Sequence, residues 1–488
     1  MHFLSHKKLN MKYELGNMKS TQLSINKLSI NKLNMKSKIF NSLFILAGML
    51  MLGLSSFGQG KKAYELTING VKVIVQPTSN EILEIQTIIK GGVQNYPASK
   101  AGIESLAFSA LTECGTEKDD KNSFKNKLDK ASANVGGNSA MDFATFTMNC
   151  IASDFESVWP LYTDALTIPA FDKTEFDRIK QDAINNLKQQ NSDPDASISK
   201  LAKETAFKGK DYAKSPQGTE EIVSKLTAEQ TKAYYKSILT RSRMLIVVVG
   251  NLEKDLIEKK VTELLNKIPQ GAPFILKRQS YHPVANSFKS EKKELATNYI
   301  IGVTSAPLPG TPDFNAYALA MRIFFDRTFL EVRTNNGLSY APAAYLDGGL
   351  SSTSNMYVTT KEPDKYIGVV NKLINKTKNE GFTEDEVKNM KTTYVTSFFY
   401  KQETNSAQAS SLAANEVLHN NWKRSLTISD DMKKLKTIEI NKAFSKYFGN
   451  ITWVYQGDST KVTPALYKKD YTPMGKLPPA TLSPVKKQ

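Results

Sequence analysis

The chain has 488 residues, more than one hydrophobic core of ordinary size organises, so two or more domains are expected. With 40% apolar and 23% charged residues, the composition is that of a globular protein and excludes a wholly disordered one. The formal net charge is +17, but residues 1–58 hold eight Lys and one Glu and carry +7 of it, leaving +10. No Lys/Arg block with interleaved aromatics stands out in that remainder, so a solvated basic surface is expected and not a nucleic-acid site. Two cysteines, Cys114 and Cys150, make no disulfide framework and are read as packed free thiols.

Ile39 to Leu54 is a largely apolar run preceded by Lys36 and Lys38 and followed by Ser56-Phe57-Gly58. A basic start, a short apolar centre and small residues before a cut are the parts of a secretory signal peptide. The run is short for a membrane span and lacks a positive flank after it, so cleavage before Gln59 and no stable membrane anchor are expected. The signal is complete from Met35. Upstream, Leu23–Lys27 is repeated as Leu28–Lys32, and residues 1–34 read as a leader or mis-assigned start without a fold. A periplasmic protein follows from this reading.

Tyr64–Asn69 and Val71–Gln76 form a hairpin around Asn69-Gly70, and Ile82–Lys90 is a third strand. Gly102–Thr116 reads as a helix: Ile103, Leu106, Ala107, Ala110, Leu111 and Cys114 recur at helical spacing, and Gly115 sits where a C-cap belongs. A second helix covers about 120–133. Gly136-Gly137 then leads into Met141–Ile151, which alternates like a half-buried strand and offers an edge to an extended peptide. Trp159–Leu166 is helical up to Pro169, and Glu175–Gln190 is a longer helix with Phe176, Ile179, Ala183 and Leu187 on one face. Met244–Val249 is a buried strand. Pro269–Lys292, rich in proline and mixed polar residues, is the expected linker.

The second half repeats the first. Phe171-x-x-x-Glu175-Phe176-x-x-Ile179-Lys180 recurs as Phe382-x-x-x-Glu386-Val387-x-x-Met390-Lys391, and Gly250-Asn251 recurs as Gly457-Asp458. Nearly equal offsets argue for duplicated α+β domains of about 200 residues, each an antiparallel sheet with helices packed on one face. The expected boundaries are a signal peptide at 35–58, an N-terminal domain at 60–268, a linker at 269–292, a C-terminal domain at 293–470 and a tail at 471–488.

Several segments carry a resemblance. They are Gly102–Thr116, Gly136-Gly-Asn-Ser-Ala140 with Asp142-x-x-Thr145, Ser215-Pro-x-Gly218-Thr219-x-x-Ile222-x-x-x-Leu226-Thr227 with Tyr234-Tyr235 and Val249-Gly250-Asn251, and Glu331-Val-Arg333-x-x-x-Gly337-Leu-x-Tyr340. Over about residues 62 to 465 the chain resembles the pitrilysin/insulinase and mitochondrial-processing-peptidase family of zinc peptidases. The resemblance implies a clamshell of two homologous domains. In that family the first helix carries an inverted zinc motif, H-x-x-E-H, with two His as ligands, a Glu as general base and a further Glu ligand on a later helix. Here the motif positions hold Ser105, Phe108 and Ser109, and the later position falls at Asn186, 77 residues past Ser109.

Serine is a poor zinc ligand, and a phenyl ring neither binds metal nor takes a proton. Of the four His, His2 and His6 lie in the leader, and His282 and His419 are read as ordinary surface or packing residues. The chain is therefore expected to bind no metal and not to hydrolyse peptides alone. What the resemblance keeps is Arg333 and Tyr340, which face the zinc from the C-terminal domain in the family. It implies a non-zinc-binding subunit of a two-chain periplasmic metallopeptidase. Arg333 and Tyr340 would be supplied in trans to a homologous partner that has an intact H-x-x-E-H and holds the zinc, as a heterodimer acting on peptides. The other class the resemblance admits is a non-catalytic peptide-binding or scaffold protein on the same fold.

Overall fold

The computed structural model describes residues 62–469; the leader, the signal segment and the tail expected at 471–488 lie outside them. The N-terminal half begins with β1 (Tyr64–Ile68), β2 (Val71–Gln76) and β3 (Ile82–Lys90). The first two pair as the expected hairpin, with Asn69 and Gly70 both at positive φ, as a tight two-residue turn requires. Next come α1 (Ile103–Glu113), α2 (Lys121–Lys130), β4 (Asn134–Ser139) and β5 (Phe143–Ile151). The half is completed by α3 (Phe155–Thr167), α4 (Lys173–Ser192), α5 (Pro194–Ala206), α6 (Glu220–Ser224), α7 (Ala228–Ile238), β6 (Met244–Val249) and α8 (Lys254–Leu265).

The C-terminal half runs β7 (Ser287–Lys292), β8 (Asn298–Ser305), α9 (Phe314–Thr328) with a π-helical extension (Phe329–Asn335), β9 (Ala343–Asp347) and β10 (Thr353–Thr360). It continues through α10 (Pro363–Glu380), α11 (Glu384–Tyr400), α12 (Asn405–His419), α13 (Arg424–Lys434), α14 (Thr437–Tyr447), β11 (Ile451–Gly457) and α15 (Pro464–Tyr467).

The duplication is visible in the sheets. The first has the order β1-β2-β6-β3-β5-β4 and the second β7-β11-β8-β10-β9, the same arrangement without the outer hairpin strand. Each is antiparallel except for one parallel pair in the equivalent place, β2 with β6 and β7 with β11. The repeated residues occupy equivalent sites. Asp172 caps α4 by accepting from the Glu175 N–H, and Thr383 caps α11 in a reciprocal capping box with Glu386. Gly250 and Gly457, at the ends of β6 and β11, share nearly the same φ, 149° and 152°.

One boundary is corrected. Ser287–Lys292 lies inside the stretch expected to be linker but forms β7, whose backbone pairs with β11 in the second sheet. It is a polar, largely exposed edge strand, so its side chains gave no apolar alternation to read.

Helices cover one face of each sheet from its own half, as expected; the other face receives a helix from the opposite half. α12 lies on the first sheet, burying Ala409, Leu412, Ala413, Val417 and the following Trp422 against Ile74, Ile88, Leu245, Val247 and Val249. Lys72 bonds Glu416 at 2.7 Å, and Asn405 reaches the Ile82 carbonyl at 2.6 Å. In the equivalent exchange α5 packs on β8 and β11 of the second sheet. At roughly 1.5–3 kcal/mol per buried large aliphatic side chain, this exchanged apolar seam holds the two halves together. It also explains why all six residues of β6 are buried: the strand is covered on both faces.

Candidate functional site

α1 forms as its apolar spacing predicts, with Ile103, Leu106, Ala107, Ala110 and Leu111 buried. Phe108 is buried with them, 0% exposed, its ring edge-on to Tyr235 at 6.0 Å. β4 crosses directly over it: a Cβ on Gly137 would stand 2.6 Å from the Phe108 carbonyl oxygen and 3.0 Å from its side chain, so only glycine fits there. Ser105 and Ser109 are half-buried on the next strip of the helix, and neither hydroxyl has a hydrogen-bond partner among the described residues. Asn186 is exposed on α4, which packs against α1, beside the buried Leu187.

Two hydroxyls, a phenyl ring and a carboxamide are not a zinc donor set. Among the described residues no group of three or more His, Cys, Asp or Glu is placed to hold a metal. His282 is exposed. His419 is structural: its Nδ1 accepts from the Gly310 N–H at 2.9 Å and its ring meets Phe314 edge-on. Burial, with Arg424 and Arg278 nearby, pushes it down to about 3, so it stays neutral. Cys114 and Cys150 are both buried and unbridged.

The residue that sequence reasoning missed on this helix is Glu104. It is 0% exposed and accepts from Asn95 and Ser139 at 2.9 Å each and from the Tyr234 hydroxyl. Arg243, stacked on Phe274 at 3.8 Å, donates to Asn95 Oδ1 at 2.6 Å. Burial pushes the Glu104 carboxyl up, and its three hydrogen bonds and Arg243 draw it back. This network ties α1 to β4 and α7. Tyr234, one of the residues carrying the resemblance, was the available signal.

Arg333 and Tyr340 are brought together. The π-helical extension of α9 and the turn after it are anchored by buried Val332 and Leu338, with Leu338 N–H donating to the Val332 carbonyl at 2.9 Å. This anchoring turns Arg333 outward, its guanidinium 4.1 Å from the centre of the Tyr340 ring and 4.9 Å from that of Phe329. Tyr340 is 79% exposed. Among the described residues no acceptor bonds the guanidinium, and no hydrogen bond, ion pair or ring contact joins the pair to Ser105, Phe108, Ser109 or Asn186. The edge expected on Met141–Ile151 is misplaced: β5 is paired on both sides, by β3 and β4, and the free edge is β4.

Profiles of two domains of one family match the chain in succession: "Insulinase (Peptidase family M16)" over residues 84–220 and "Peptidase M16 inactive domain" over 225–394. The chain belongs to the insulinase-like peptidase family. It is a member of that family without the zinc motif. The "Non-peptidase homolog YmxG" of Helicobacter pylori is 21% identical over 408 residues, 80% of this chain and 93% of that protein. The peptidase M16 inactive domain of Pseudomonas fluorescens has the same fold, with TM-score 0.75, 16% identity, and 82% and 100% of the two chains covered. The periplasmic protease PqqL of Escherichia coli superposes with TM-score 0.71 and 16% identity over 82% of this chain. Only 47% of PqqL is covered, so this chain spans about half its length.

Within this insulinase-like fold the chain's own groups can donate hydrogen bonds from Arg333 and Tyr340. Ser105, Phe108, Ser109 and Asn186 offer neither a zinc donor set nor a general base.

Proposed function

We propose that the chain is the non-zinc-binding subunit of a periplasmic two-chain metallopeptidase, and that it presents Arg333 and Tyr340 to a homologous partner whose intact H-x-x-E-H holds the zinc. The observation that carries this reading is the pair itself: a guanidinium lying against the rings of Phe329 and Tyr340, with no acceptor of its own among the described residues, and a tyrosine that is 79% exposed. An Arg so placed is ready to grip a substrate carbonyl or carboxylate. A Tyr hydroxyl can donate to the oxyanion of a tetrahedral intermediate, where loss of one donor typically costs about 3–4 kcal/mol of barrier. Arg333→Ala and Tyr340→Phe, each mixed with the zinc-bearing partner, test it: both should lower the partner's peptidase rate without loss of complex.

The apolar run at Ile39–Leu54 supports export, and no described helix is long and apolar enough to cross a membrane. That PqqL is a periplasmic protease fits the same compartment.

A second reading, a non-catalytic peptide-binding or assembly protein, is favoured by one observation. The free edge of β4, Asn134–Ser139, offers unpaired backbone groups to an extended peptide without any need for catalysis. The name of the Helicobacter pylori relative, a non-peptidase homologue, agrees with it. Stable complex formation with unchanged hydrolysis by the partner would select this reading over the first.

A further inference from the structure

A cleft of about 610 Å³ opens in the N-terminal half, within the roughly 300–1,000 Å³ range of small-ligand sites. None of Ser105, Phe108, Ser109, Asn186, Arg333 and Tyr340 lines it. Its first wall is one face of α5. Ala196, Ser199, Lys200 and Lys203 recur there at helical spacing, while Ile198, Leu201 and Ala202 are buried on the other side of the helix. The opposite wall is the segment 209–219. Lys214 pins it by donating to the Tyr96 carbonyl at 2.6 Å and to Asp211 at 2.7 Å. Gly218, at φ +79°, lies where a Cβ would come 2.3 Å from the Ala101 carbonyl oxygen, so the wall is seated closely on the chain before α1. The cleft is thus built in advance.

Its chemistry is two-sided. Tyr96, Met141, Leu187 and Ile222 give it an apolar interior. Lys200, Lys203 and Lys210 are exposed along it and form no ion pair or side-chain hydrogen bond among the described residues. Of the two lining acids, Asp211 is already paired with Lys214, which leaves Glu204 alone against three free ammonium groups.

We propose that this cleft binds a short acidic peptide segment, its carboxylates on Lys200, Lys203 and Lys210 and an apolar side chain between them on the interior. The apolar walls and Glu204 give a peptide more to bind than they give a bare phosphate. The proposal rests on the reading above only in taking peptides as the ligand class, and binding here requires neither the partner nor Arg333.

The test is fluorescence anisotropy on the full exported chain, with fluorescein-labelled Glu-Leu-Glu-Leu-Glu, Glu-Ser-Glu-Ser-Glu and Lys-Leu-Lys-Leu-Lys as probes. The first should bind at least ten-fold more tightly than either other peptide, and more weakly as salt rises. Lys200→Glu with Lys203→Glu should weaken it at least ten-fold. Ser199→Trp, which fills the cleft at constant charge, should weaken it as well. Lys236→Glu with Lys259→Glu, exposed and outside the cleft, should change it less than two-fold. Equal binding of the acidic and basic peptides, an equal loss in the remote double variant, or complete displacement by millimolar inorganic phosphate would overturn the proposal. Failure here with intact stimulation of the partner's hydrolysis sinks the cleft and leaves the trans reading. Tight, selective binding with no stimulation does the reverse.

Discussion

α1 and the segment 329–340 both carry the resemblance to the family, and they are built in opposite ways. In α1 the side chains belong to the core: Phe108 is 0% exposed against Tyr235 and Gly137, and Glu104, one turn before it, is consumed by three hydrogen bonds. At 329–340 the polar groups stay outside, stacked on rings and unspent. Groups built into a core serve stability, and groups held at a surface without a partner are free to serve an encounter. The two regions should therefore answer mutation through different observables.

The largest effect is expected at Phe108. Phe108→Glu buries a carboxylate where a ring was packed and should cost about 3–5 kcal/mol, read as a lower urea midpoint. A variant carrying Ser105→His, Phe108→Glu, Ser109→His and Asn186→Glu should be no more stable than Phe108→Glu alone in the absence of metal. If it folds as the parent does and takes up one zinc tightly, the claim that α1 has been rebuilt into core breaks. Next comes Glu104→Ala, which strands Asn95, Ser139, Tyr234 and Arg243 and should cost about 2–4 kcal/mol; Glu104→Gln, which keeps an acceptor, should cost less.

Asp142 sharpens the comparison at the seam between the halves. It accepts from the Tyr212 hydroxyl and from the Leu350 N–H, and burial pushes it up to about 6, with Asp347 adding to the rise. A carboxyl raised in the folded state holds its proton more tightly than the unfolded chain does. Its contribution is therefore full below the unfolded value of about 3.9 and is lost as pH rises to about 6, for a total of about 2–3 kcal/mol. Asp142→Asn should remove that slope between pH 4 and 6 and raise the urea midpoint at pH 8.

The smallest stability effects are expected at the exposed pair. Arg333→Ala and Tyr340→Phe should each change stability by less than about 0.5 kcal/mol, since neither group is buried with a partner to strand.

What was legible in the sequence was local. Asn69-Gly70 announced its hairpin because only a turn needs two positive φ angles in a row. The recurring Phe-x-x-x-Glu pattern announced the duplication because both copies open a helix, with Asp172 and Thr383 capping the N–H groups of Glu175 and Glu386. The apolar stripe of α1 announced the helix. What was not legible was supplied from far along the chain. Glu104 stands among buried residues, but its partner Tyr234 is 130 positions away, so a lone carboxylate there carried no meaning. β4, with Gly136 and Gly137, has weak strand character, so β5 passed for the edge. β7 is polar, and its pairing comes from β11. The exchange of α5 and α12 leaves one local trace, the continuous apolar run of β6, which tells that both its faces are covered but not by which helix.

The most direct measurement is the steady-state rate of peptide hydrolysis by a purified partner with an intact H-x-x-E-H, alone and with this chain added as parent, Arg333→Ala or Tyr340→Phe, with complex formation followed in parallel. The account predicts stimulation by the parent and at least a ten-fold loss of that stimulation in either variant, with the complex intact. Stimulation that is absent, or that survives both substitutions unchanged, would contradict it.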